Sequence, residues 1–98
     1  MILGWLDTDA AIEFANSTSA DIRKLIPPSE HEPTRKEIGK RMKKLERVIL
    51  NAKAFSANNK LNFYKKTKLA NTLKWNLKEA GYSEEFVRDV VGLVVVNL

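Results

Sequence analysis

The chain has 98 residues, 44% of them hydrophobic and 30% charged, which leaves room for one core and matches a folded soluble domain, not a disordered or low-complexity chain. It holds no cysteine, which excludes a disulfide frame, a thiolate nucleophile, a zinc ribbon and an iron–sulfur cluster, so packing must supply the stability. Seventeen Lys and Arg against twelve Asp and Glu give +5 at neutral pH, a balance that favours anionic partners without naming one.

The first residues, Met1-Ile2-Leu3-Gly4-Trp5-Leu6, carry no basic region and run into Asp7, unlike a signal peptide or an anchor. A cytoplasmic address is the resulting expectation, and the glycosylation pattern Asn16-Ser17-Thr18 then has no consequence. Asp7 or Thr8 is placed to cap a first helix through about Asn16, with Ala11, Phe14 and Ala15 on one side. Ser17-Thr18-Ser19 is expected to break or kink it, and a short second piece carries Ile22, Leu25 and Ile26 up to Pro27. Three prolines, Pro27, Pro28 and Pro33, fall close together, and residues 27–33 read as a loop dividing an acidic segment, 1–26, from the rest.

After the loop the helix signal strengthens. Thr34-Arg35-Lys36-Glu37 is a capping box, in which hydroxyl and carboxylate satisfy each other's exposed backbone donors. Ile38, Met42, Leu45, Ile49 and Ala52 then recur at steps of four and three, a stripe confined to about 80° of a helix. Gly39 lies beside that stripe, where a close helix contact would account for it. The pattern fades over Phe55-Ser56-Ala57-Asn58-Asn59, the expected turn into a third helix that runs to Ala80 with Phe63, Leu69, Ala70, Leu73, Leu77 and Ala80 inward. Gly81 stands where a left-handed helix end needs it. Ser83 caps a last helix with an acidic first turn, Glu84-Glu85, and an apolar face of Phe86, Val87, Val90, Val91, Val94 and Val95. Val94-Val95-Val96 is also strand material. From Phe86 to Leu98 the chain is apolar but interrupted by Arg88 and Asp89 and too short to span a bilayer, so it belongs in a core or an interface.

Charge is segregated. Residues 35–78 hold fourteen Lys and Arg against only Glu37 and Glu46, a net of +12, while residues 1–34 carry −4 and residues 79–98 carry −3. On the second helix, Lys36, Lys40, Lys43, Lys44 and Arg47 project away from the apolar stripe, at spacings that set like charges side by side at about 0.2–0.5 kcal/mol per pair. One account is self-neutralisation by the acidic ends, or simple solvation of an exposed face. The other is a surface that neutralises phosphates. On the third helix, Tyr64, Lys68, Asn71 and Trp75 fall on one face opposite Leu69, Leu73 and Leu77, beside Lys65 and Lys66. Such aromatics stack unpaired bases, seal a second helix contact, or anchor a protein partner.

No catalytic or metal constellation is recognisable. His31 is the only histidine, lodged between Glu30 and Glu32 in the loop without convergent ligands, so no metal and no cofactor is expected. Asp7, Asp9 and Glu13 are explained by capping and dipole effects, and neither a nucleophile–base arrangement nor a Gly-rich phosphate loop is present, so the expectation is not an enzyme. Residues 34–42 resemble the first helix of a helix-turn-helix DNA reader, but the periodic pattern runs on through Leu45 and Ile49 where that motif turns into its recognition helix.

The expected architecture is a single all-α domain over residues 1–98, a bundle of about four helices whose apolar C-terminal helix packs in the core against an antiparallel basic pair, residues 34–80. The expected function is a small binding module for RNA or DNA using Lys36, Lys40, Lys43, Lys44, Arg47, Tyr64, Lys65, Lys66, Lys68 and Trp75. The alternative is a regulatory module for an acidic protein partner, or a homodimer formed through the valine-rich helix if its face is left uncovered. No membrane partner is expected.

Overall fold

The computed structural model describes residues 8–28 and 35–98, except for the side chains of residues 35–38. The capping box at Thr34 and Glu37, the stripe position Ile38, the proline-rich loop beyond Pro28, His31 and residues 1–7 lie outside the described residues. The chain forms four helices, α1 Asp9–Leu25, α2 Arg35–Asn58, α3 Phe63–Glu79 and α4 Glu84–Val96, and no strand among the described residues. It is the expected all-α bundle, and Val94-Val95-Val96 belongs to the helix.

α1 is continuous through Ser17-Thr18-Ser19, correcting the expected break. Thr18 and Ser19 are buried. The Ser19 hydroxyl donates to the Ala15 carbonyl one turn back (2.7 Å) and accepts from the Asn76 amide (3.1 Å). That amide also donates to Asn16 Oδ1 at 2.8 Å. With both ends satisfied, the serine no longer competes with the helix ladder and serves as a polar peg between α1 and α3. The small residues Ala11 and Ala15 on the same face let α3 approach closely, and its Leu69, Leu73 and Leu77 are fully buried. The Thr8 hydroxyl, a candidate cap, makes no cap bond.

α2 presents Leu45, Val48 and Ala52 to the core, with Phe55 stacked on Phe14 of α1 at 4.3 Å between ring centroids. The helix therefore runs on through Phe55 to Asn58 instead of turning there. From the Phe14–Phe55 contact, eleven residues of α1 remain, while twenty of α2 precede it, so the N-terminal turns of α2 run past the end of α1. Met42, in the part of α2 beyond the end of α1, is 58% exposed, and the buried stripe is turned toward Val48. Gly39 answers to no close contact: a Cβ there would meet nothing within 4 Å.

The α3–α4 corner follows the sequence signals. Gly81 has φ +99°, its N–H donates to the Lys78 carbonyl (3.1 Å), and the Tyr82 N–H donates to the Leu77 carbonyl (3.3 Å), the paired bonds of a Schellman end. Ser83 Oγ accepts from the Phe86 N–H at 3.2 Å and starts α4. α4 buries Val87, Val90 and Val94, so its valine face is spent within the chain's own core, and the Ser56 hydroxyl donates to the Leu98 carbonyl at 2.7 Å. Tyr82 stacks on Phe86, and its hydroxyl donates to the Ile26 carbonyl, with the Ile22 carbonyl at 3.4 Å. Burial raises the Tyr82 hydroxyl above the ordinary tyrosine value, against the opposing pull of the Arg23 and Arg41 charges.

The neighbour relations depart from expectation. α1 packs on α3 and α2, α4 packs on α3 and α2, and no Cα of α2 comes within 8 Å of α3. The two basic helices are therefore not an antiparallel pair but occupy one diagonal of the bundle, with α1 and α4 between them. Small residues on α1 and the valine face of α4 fit between the two larger apolar stripes, which direct contact between α2 and α3 would leave half uncovered.

Candidate functional site

Two cationic faces emerge. On α2, Lys40, Lys43, Lys44 and Arg47 are exposed and share an arc of roughly 100°, turned away from Leu45 and Val48. Lys36 belongs to the first turn of the same helix, and its side chain lies outside the described residues. Because α2 overruns α1, α1 does not reach over the N-terminal part of this face. The only described ion pairs are Lys78 with Glu84 and Arg88 with Asp89, each at 3.9 Å. Neither of these pairs involves a cation of α2.

On α3, Tyr64, Lys68, Asn71 and Trp75 are all exposed. They occupy an arc of about 60° diametrically away from Leu69 and Leu73, since steps of four, three and four nearly complete whole helical turns. Tyr64 is 49% and Trp75 58% exposed, so neither seals a helix contact within the chain. The Lys74 and Lys78 ammonium groups stand 5.8 and 5.4 Å from the Trp75 ring centroid, cation–π contacts worth about 0.5–1 kcal/mol each in so exposed a setting.

Lys65 and Lys66 are half-buried in the first turn of α3, where Asn62 Oδ1 accepts the Lys65 N–H at 2.8 Å. With Lys60 they line an open cleft at the α2–α3 corner beside Ser56 and Asn59.

The residues expected to act together are thus divided: Lys40, Lys43, Lys44 and Arg47 on α2, Tyr64, Lys68 and Trp75 on the outer face of α3, and Lys65 and Lys66 at the corner, because helices that do not touch do not build one continuous patch. Lys74 and Lys78 were not among the expected site residues, although their positions one before and three after Trp75 are the signal that places them around its ring. Phe63, expected inward, is 86% exposed: it opens α3 directly after the Asn62 cap, on the flank away from Leu69. Among the described residues no group of three or more His, Cys, Asp or Glu side chains is placed to hold a metal ion. No described helix is long and apolar enough to cross a membrane.

Compared with protein-family models, with curated proteins and with solved structures, the chain matches none.

Proposed function

We propose that the protein is a small, non-enzymatic nucleic-acid-binding module of the cytoplasm that grips phosphates with the outer face of α2. The observation that carries this reading is the set of four exposed cations, Lys40, Lys43, Lys44 and Arg47, in one arc of a helix whose N-terminal turns run past the end of α1, none of them in an ion pair with another described residue. Ammonium and guanidinium groups so arranged repel one another, and a polyanion relieves the repulsion while releasing its own counterions. Lys60, Lys65 and Lys66 extend the cationic surface at the α2–α3 corner.

Titration of duplex DNA across a salt series tests it. Four neutralised phosphates give a slope of log affinity against log salt near about −3.6, and Lys43→Glu/Arg47→Glu is expected to lower the slope by about two contacts while the helical melt persists. No measurable affinity for RNA or DNA at low salt rejects the reading. The exposed Tyr64 and Trp75 favour a second reading, an acidic protein segment anchored by aromatics. It is distinguished by affinity for an acidic peptide in the absence of any affinity for nucleic acid.

A further inference from the structure

We infer that the outer face of α3 is a stacking platform for single-stranded nucleic acid, so that the protein prefers unpaired strands to duplex; this rests on the proposed function and names its substrate class. Tyr64 and Trp75 stand eleven residues apart on one face, about 16 Å along the helix axis. Lys68 lies between them, and Lys74 and Lys78 lie against the indole. A base within a duplex has both faces covered by its neighbours, whereas an unpaired base can lay one face on an exposed ring and leave its phosphate beside an ammonium. Half-exposed aromatics interleaved with lysines provide both halves of that contact, and Asn71, between them in the same arc, adds a donor and an acceptor.

Charge selects this occupant over a second copy of the chain. Lys68, Lys74 and Lys78 share the face with Glu79 at its margin, and Glu84 stands 3.9 Å from Lys78, which leaves Lys68 and Lys74 in no described ion pair. Two such faces pressed together would set lysine against lysine. The basic character requires an anion, and the aromatic rings require a flat apolar surface carried on it. A nucleobase strand has both.

The test uses the full chain with Trp5→Phe, so that Trp75 is the sole indole. At one salt concentration it is titrated with oligo-dT, with an abasic strand of equal length, with duplex DNA and with oligo-glutamate. Oligo-dT is expected to quench Trp75 emission and to bind more tightly than the abasic strand or the duplex. Read by the fluorescence anisotropy of end-labelled strands, Trp75→Ala is expected to weaken oligo-dT binding by about ten-fold and to leave the salt slope and the duplex affinity in place, with Trp75→Phe recovering part of the loss. Equal loss for oligo-dT, abasic strand and duplex, or no loss at all, overturns the platform while the proposed function stands. Quenching by oligo-glutamate as strong as by oligo-dT overturns it in favour of an acidic protein. No affinity for any nucleic acid overturns the proposed function and the platform together.

Discussion

Tyr82 closes the end of the bundle where α1 stops. Its hydroxyl donates to the carbonyl of Ile26, the residue that caps α1, and lies 3.4 Å from the Ile22 carbonyl, which also accepts the Ile26 N–H at 2.7 Å. Removing the hydroxyl takes the Tyr82 bond from the Ile26 carbonyl, and Tyr82→Phe is expected to destabilise the chain by about 1–2 kcal/mol, read as a lower urea midpoint at unchanged slope. The same bond gives a pH signature. Burial holds the Tyr82 proton more tightly in the folded chain than in the unfolded one, even with Arg23 and Arg41 pulling the other way. Above the ordinary tyrosine value of 10.0 the unfolded chain therefore binds fewer protons than the folded one. Stability is fully present below that pH and declines as pH rises from there through the folded-state value. The informative quantity is the difference between wild type and Tyr82→Phe, which is expected to shrink as pH climbs beyond about 10. A difference independent of pH would mean that the hydroxyl acts only through packing.

At the scale of the element, two glycines with equally open surroundings should respond in opposite directions. A Cβ at Gly81 or at Gly92 would meet nothing within 4 Å. Gly81, however, sits at φ +99°, where an L side chain meets its own backbone, and Gly81→Ala is expected to destabilise by about 1–2 kcal/mol. Gly92 lies within α4, and Gly92→Ala is expected to stabilise by about 0.5–1 kcal/mol through helix propensity alone. Urea denaturation of both variants checks the pair, and a loss of stability at Gly92 would point to a contact with another molecule. The Gly81 and Ser83 signals were legible because a helix end is a local event, decided by residues within one turn. The same locality misled at Ser17-Thr18-Ser19, whose hydroxyls favour a break until the amide of Asn76, nearly sixty residues away, donates to the Ser19 hydroxyl and satisfies it in the interior. Met42 and Phe63 show a related gap: each has the right residue type for a core, but whether a neighbour lies opposite depends on where the other helix stops.

For the whole molecule, periodicity reveals that a face must be buried but not which helix covers it. The four helices and their apolar stripes were readable, and so was the charge segregation. The diagonal placement of α2 and α3 was not, because it follows from how well the small face of α1 and the valine face of α4 fill the space between them. That placement divides the cations between two surfaces yet leaves them confined to a molecule with few opposing charges nearby. Folding thus gathers the net +5 into a smaller volume than the unfolded chain occupies. Only two described ion pairs, both at 3.9 Å and each with at least one well-exposed partner, stand to be weakened by salt, and such pairs contribute little. Repulsion is the larger quantity, and raising NaCl from about 0.01 to about 0.1 M shortens the screening length from about 30 to about 10 Å, enough to separate α2 from α3 electrostatically. The melting temperature is therefore expected to rise with salt over this range. Lys43→Glu/Arg47→Glu, which lowers the formal charge from +5 to +1, should raise it already at low salt and flatten its further rise. A melting temperature that falls as salt is added would show that favourable ion pairs outweigh the repulsion, and would remove the unpaired-cation premise on which phosphate binding by α2 depends.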